Sequence, residues 1–306
     1  RLTTRRTGSS RALGTLPRQA LEGSSYDVGI VGGGVMGSSI ALHLAAKYSG
    51  LRIAVFERDP TYEWASAPRS AGGIRQQFSL AENVKLSLYG VEFLKSGLQE
   101  LCADVDVDTD VQFRENGYLL LAPPGESEAV LRENVALQHA VGADWIALLD
   151  AAELKARFPW LSTRGIALGA YGTRNEGYFD PWAFLQAMRK GSMAKGVEFI
   201  QGDVASLKLE PSGKISDVFL KCGETVSVGT LVNAAGAFGG SLVSMCGPNV
   251  TPLPVVPRKR CMWSVYTNAE HASDNVTPVA PENTPLTIDP SGVYFRSEGS
   301  SRGRFV

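Results

Sequence analysis

The sequence predicts a mixed α/β protein of two domains. Three observations carry that expectation. A short apolar run, Val28, Ile30 and Val31, leads directly into a glycine-rich turn and then a stretch with helical apolar spacing. A second apolar run, "LRIAVFE", follows and ends in Glu57. The chain has 306 residues, enough for a sizeable core and for two domains rather than one.

Taken in order, "YDVGIVGGGVMG" (residues 26–37) reads as a buried strand and Gly32-x-Gly34-x-x-Gly37. "SSIALHLAAKY" continues as a helix, with Ile40 and Leu44, and Ala41 and Ala45, at helical spacing. A second strand then delivers Glu57, about 20 residues beyond Gly37, the separation of a dinucleotide site. The order strand, turn, helix, strand, acid is Rossmann-like. Gly32 permits the tight turn, Gly34 lets the backbone approach a pyrophosphate, and Gly37 lets the helix pack against the strand. Val35 and Met36 open the helix, whose free N–H groups and positive dipole end suit phosphate. Glu57 suits a ribose diol and would repel a 2′-phosphate. After Glu57 the chain enters "RDPTYEWASAPRSAGGIRQQF", a long polar segment rather than another strand–helix repeat. Such a segment favours FAD over NAD.

Further along, "VQFRENGYLLLAPPG" reads as two strands around a turn at Asn116-Gly117. "ESEAVLRENVALQHAVGA" and "DAAELKARF" have helical spacing, and "LTIDPSGVYFR" reads as a strand pair turning at Pro290-Ser291-Gly292. Arg258, Lys259 and Arg260 form a short basic cluster that suits a solvated patch.

Composition narrows the function. The chain is 44% apolar and 20% charged, with a net charge of −1, which argues against a nucleic-acid binder. No apolar run approaches the ~18–20 residues of a membrane-spanning helix. The four cysteines are scattered without C-x-x-C spacing, and the three histidines lie far apart, so neither a disulfide framework nor a metal site is expected. Residues 1–25 carry five arginines and one acid among several Ser and Thr, the composition of a mitochondrial transit peptide or of a disordered tail.

The quoted stretches, together with "SAGGIRQQFSLAENVKLS", "EGYFDPWAFLQAMRKGSMAKGVEFIQGDVASL", "LVNAAGAFGGSL" and "VPRKRCMW", resemble the D-amino-acid-oxidase/sarcosine-oxidase superfamily of FAD proteins. The resemblance spans roughly Tyr26 to Gly299 and is strongest to a mitochondrial branch linked to assembly of respiratory complex I. It implies an FAD-binding domain over 26–110 and 171–250. An interleaved antiparallel-sheet substrate domain takes 111–170 and 251–306. It also implies that Gly32, Gly34 and Gly37 hold the FAD pyrophosphate and Glu57 the adenosine ribose, with Arg58 on the adenosine side. Ser70, Gly72 and Gly73, in the run to Arg75, would flank the flavin, Val204 would offer its backbone to adenine, and Ala235 and Gly236 would lie behind the cofactor. Relatives that attach FAD covalently use a His where this chain has Ser70, so non-covalent FAD is expected. Arg75 would stand beside the flavin, where a fixed positive charge stabilises the reduced anionic ring. A second arginine, which relatives use for a substrate carboxylate, is replaced by Phe78. The cluster Arg258, Lys259 and Arg260 would, by the same resemblance, be a strand entry towards the flavin.

Two functions follow from the resemblance. One is oxidation of a C–N bond in a small amine or amino acid, as in sarcosine or dimethylglycine. The other is a mitochondrial assembly factor, in the matrix or associated with the inner membrane, that retains FAD and contacts complex I subunits or other assembly factors. Because the superfamily continues past the point where this sequence stops, the fold is expected to be incomplete at its C-terminus and the chain to hold FAD weakly or not at all. A third expectation is an inactive fragment.

Overall fold

The computed structural model describes residues 23–266, 280–298 and 304–306. The transit-peptide reading therefore falls almost wholly outside the described residues. The chain begins with β1 (Ser25–Val31), α1 (Val35–Lys47), β2 (Ile53–Glu57), β3 (Gly73–Ile74) and α2 (Ala81–Glu92). A π-helical turn (Phe93–Gly97) joins α2 to α3 (Leu98–Leu101). Then come β4 (Tyr118–Ala122), α4 (Glu126–Ala140), β5 (Ile146–Asp150), α5 (Ala151–Arg157), β6 (Leu168–Gly172), β7 (Gly177–Tyr178) and α6 (Pro181–Ala194). The rest is β8 (Glu198–Gln201), β9 (Val204–Leu209), β10 (Ile215–Leu220), β11 (Thr225–Asn233), a 3₁₀ turn (Gly236–Phe238), α7 (Gly239–Ser244), β12 (Val265–Tyr266), β13 (Leu286–Ile288), β14 (Tyr294–Phe295) and β15 (Arg304–Phe305).

Packing divides the chain into two compact units. The first contains the described residues up to Ala65 together with Ser192–Arg258; the second contains Ser66–Gly191 and the described residues from Lys259 onward. Residues 66–110 and 171–191, which the resemblance grouped with the nucleotide-binding domain, pack in the second unit. The reason is contact with residues 111–170: Arg114 bridges Tyr178 of β7, and Val84 of α2 packs with Val135 of α4.

The first unit is built on a sheet of order β8-β2-β1-β11-β10-β9. β8, β2, β1 and β11 run parallel, and β10 and β9 extend the sheet as an antiparallel pair. Residues 53–56 of β2 are buried on both faces, as a central parallel strand must be. Ile53 and Val55 join Ile30, Ala41 and Phe199 on the α1 face, while Ala54 and Phe56 join Ile200, Val218 and Leu242 on the other. The period of two along the strand thus feeds two apolar layers.

The second unit carries a sheet of order β14-β13-β4-β6-β5, antiparallel except for the β13–β4 pair. One core cluster holds Val84, Val135, Ala143, Ile146 and Ala170, and another holds Leu119, Leu121, Leu154, Phe158 and Leu161. Asp150 starts α5 with a full capping box: it accepts from the Ala152 and Glu153 N–H groups, and Glu153 accepts from the Asp150 N–H. The β13–β14 hairpin forms as expected, with Gly292 at φ +86° and the Asp289 N–H on Val293 O at 2.9 Å.

The expected hairpin around Asn116-Gly117 does not form. Only its second arm is a strand, β4. Arg114 makes an isolated bridge to Tyr178 instead, its N–H on Tyr178 O at 2.7 Å. Gly117 stands at φ +87°, where a Cβ would lie 2.6 Å from the Tyr171 ring and 2.7 Å from Gly172 O. The turn feeds β4 between β13 and β6, strands that come from much later in the chain.

Candidate functional site

The first unit brings the glycine turn, Glu57, Val204 and the end of β11 to the C-terminal edge of its parallel strands, where α/β sheets bind ligands. Gly32 stands at φ +101°, and a Cβ there would lie 2.4 Å from Ala234 O. That contact seats the turn on the residues following β11. Gly37 is tighter, since a Cβ would fall 1.8 Å from Gly32 O. Gly34 is the opposite case: a Cβ would meet nothing within 4 Å. Gly34 is also the N-cap of the 13-residue α1, with no side-chain cap. The first helical N–H groups, at Val35 and the exposed Met36, therefore face an open backbone surface. Open space at Gly34, an uncapped helix start and a seated turn fit a dinucleotide pyrophosphate.

Glu57 closes the other side. Its Oε2 accepts the Gly33 N–H at 2.8 Å and its Oε1 the Asp59 N–H at 2.9 Å. A carboxylate has about four lone-pair sites, so each oxygen keeps capacity for a diol hydroxyl. The Gly202 N–H donates to Glu57 O at 3.0 Å, and two residues later Val204 opens β9 opposite Leu220. Arg58 is exposed and lays its guanidinium over the Phe238 ring at 4.0 Å. Ala235 is half-buried, and Gly236 starts the 3₁₀ turn at φ +54°. Two contributors escaped the sequence reading. Gly33 supplies the N–H that Glu57 holds, and the buried Ser38 donates to Gly33 O at 2.8 Å. The unbroken Gly32-Gly33-Gly34 run was the available signal for the first.

In the second unit the run from Ser70 to Phe78 is held from several directions. Ser70 Oγ accepts the Gly72 N–H at 3.2 Å. Gly72 has φ +63°, and a Cβ would lie 2.2 Å from Phe179 O; one at Gly73 would lie 2.9 Å from the Leu286 side chain. Arg75 is half-buried, its guanidinium 5.0 Å from the Phe78 ring and 5.3 Å from the Tyr118 ring. Phe78 therefore gives Arg75 an aromatic face rather than a second positive charge. The Ser87 hydroxyl donates to Arg75 O. The Gln76 N–H donates to Glu176 Oε1 at 2.6 Å, and Gln77 Nε2 donates to Glu176 Oε2 at 2.7 Å and to Tyr118 O at 3.0 Å. Burial pushes the Glu176 carboxyl up to about 7, against the pull of the Gln77 amide, the Gln76 N–H and the Arg75 charge. Burial also raises the Tyr118 phenol, again opposed by Arg75.

Arg258, Lys259 and Arg260 are exposed and lie in no strand. Among the described residues no group of His, Cys, Asp and Glu could hold a metal, and no helix is long and apolar enough to cross a membrane.

Comparison with known proteins places the chain in a family. A curated bovine (Bos taurus) protein, FAD-dependent oxidoreductase domain-containing protein 1, is 40% identical over 302 residues, covering 89% of this chain and 60% of its own. A Drosophila melanogaster homologue of it is 36% identical over 300 residues, covering 89% of this chain and 56% of its own. The chain thus spans somewhat under two thirds of the length of these relatives. L-proline dehydrogenase from P. horikoshii shares the fold, with a TM-score of 0.71 at 22% identity, covering 92% of this chain and 69% of its own. The family model DAO, FAD dependent oxidoreductase, matches residues 27–306, and the chain belongs to that family.

Proposed function

We propose that this chain binds FAD without a covalent link, through Gly32, Gly34, Val35, Met36, Gly37 and Glu57, and that it serves as a mitochondrial flavoprotein in respiratory complex I assembly. The observation that carries the cofactor reading is the open, uncapped helix start at Gly34, paired with a Glu57 carboxylate anchored on Gly33. Arg58, Val204, Ala235 and Gly236 complete the adenosine side. Ser70, Gly72, Gly73 and Arg75 are assigned to the flavin side by the family resemblance. The assembly role and the mitochondrial location rest on that resemblance and on the Arg-rich, acid-poor residues 1–25. Phe78, in place of a carboxylate-binding arginine, supports assembly over turnover of a small amino acid.

When bound, FAD would supply two-electron oxidation of a carbon next to nitrogen. Arg75, set against the Phe78 and Tyr118 rings, would hold a fixed positive charge there. Amine oxidation, of the sarcosine or dimethylglycine kind, is the second reading, favoured by the same Arg75. Anaerobic mixing of the FAD-loaded protein with secondary amines separates them. Absent reduction, together with co-purification of complex I subunits, supports the assembly role. Rapid bleaching of the flavin band supports the oxidase.

A further inference from the structure

We propose that Glu176 is a positioning residue for Arg75: a buried carboxylate that fixes the backbone of residues 75–77 and sets the net charge Arg75 presents to a bound flavin. The second half of this rests on the reading of Arg75 as the flavin-side cation.

Glu176 lies in the turn between β6 and β7 and is fully buried. It reaches Gln76 and Gln77 across 100 and 99 residues of sequence. The Gln76 N–H reaches Oε1 and the Gln77 amide Oε2, the Gln77 backbone N–H also acts on the carboxyl, and the Gln77 amide spans on to the Tyr118 carbonyl. With Ser87 on the Arg75 carbonyl, the backbone on both sides of the Arg75–Gln76 peptide is pinned. The guanidinium is then left to lie between the Phe78 and Tyr118 rings. N–H donors on both oxygens favour the ionised carboxylate, against the burial that favours the neutral acid.

The charged and titratable groups facing Glu176 are Arg75, from the segment after β3, and Tyr118 of β4. Ionised Glu176 offsets the charge of Arg75, and protonated Glu176 leaves it uncompensated. An acceptor for that proton is in place. The Gln77 Oε1 is buried with no hydrogen-bond partner, and rotation of the amide would turn it to Glu176 at the expense of the bond to Tyr118 O. The carboxyl is raised to about 7, which brings the exchange into the neutral range.

The test compares wild type, Glu176→Gln and Arg75→Gln. Without FAD, carbon NMR of the glutamate carboxyls reads the Glu176 titration directly, with Glu176→Gln identifying its signal. Arg75→Gln is expected to shift that midpoint upward by about one pH unit, a tenfold change in proton affinity. An unmoved midpoint overturns the proposal. With FAD loaded, the midpoint potential of the flavin is followed against pH. Wild type is expected to show a break at the Glu176 titration. Glu176→Gln loses the break and, on the alkaline side, favours reduced flavin about tenfold more, ~30 mV for a two-electron couple. Glu176→Asp is expected to restore the break. A break that persists in Glu176→Gln overturns the charge-setting role even if Arg75→Gln moves the potential. If Arg75→Gln shifts the carboxyl midpoint but leaves the potential unchanged, the flavin-side reading of Arg75 fails. The charge-setting role falls with it.

Discussion

The Glu57 carboxylate holds the Gly33 N–H at 2.8 Å, tying the end of β2 to the middle of the glycine turn. The same group is the one assigned to the adenosine ribose, so it fixes the turn and binds the ligand at once. Glu57→Ala is expected to weaken FAD binding by tenfold or more, the scale of a lost charge-assisted hydrogen bond of about 1.5–3 kcal/mol. Fluorescence titration with FAD measures it. An unchanged affinity would remove Glu57 from the site.

Gly37 and Gly34 should part company on substitution. A Cβ at Gly37 meets the backbone Gly32 O at 1.8 Å, an atom that cannot swing aside, whereas one at Gly34 meets nothing within 4 Å. Gly37→Ala is expected to lower stability by roughly 1–3 kcal/mol, the range of overpacking. Gly34→Ala should leave stability within about 0.5 kcal/mol, as at an open surface position. Thermal melts of the two variants decide the point.

Glu176 gives stability a pH dependence of definite sign. Its folded-state carboxyl sits near 7, above its ordinary value of 4.5. Between those values the native state binds more protons than the unfolded chain, so this residue's contribution falls as pH rises through the window. The melting temperature of wild type minus that of Glu176→Gln is expected to decrease from pH 4.5 to 7 and to level off above. A flat difference would place the carboxyl at an ordinary value.

Asp150 serves as a control in the second unit. Removing its capping box with Asp150→Ala is expected to cost about 1 kcal/mol in a denaturant melt. FAD affinity should not change, because Asp150 lies outside every group assigned to the cofactor.

The parts of the fold that were legible in the sequence are those coded locally. β1, the glycine turn, α1, β2 and Glu57 follow one another without a break, and the Gly32–Gly37 and Gly33–Glu57 relationships lie within 24 positions, whereas the seating of Gly32 on Ala234 does not. The Asp150 helix start and the Pro290-Ser291-Gly292 hairpin are local too, and both formed. The arm from Val111 to Arg114 looked like a strand because its composition suits one, yet its backbone bridges Tyr178 rather than β4. The Glu176 cluster was invisible for the same reason: its partners lie about 100 residues away, and nothing in "RNEGYF" marks the acid as buried. In the sequence Phe78 marks only a missing arginine; the fold sets its ring 5.0 Å from the Arg75 guanidinium.

The central claim is that the Gly32–Gly37 turn holds the pyrophosphate of FAD, and titrating FAD into wild type and Gly34→Ala tests it most directly. Because Gly34 has open space above it, its substitution should spare the fold and obstruct only the ligand. The expected result is saturable binding to wild type, even if weak, and at least a tenfold loss in Gly34→Ala at equal melting temperature. Equal FAD affinity in the two proteins would contradict the assignment of this turn to the cofactor.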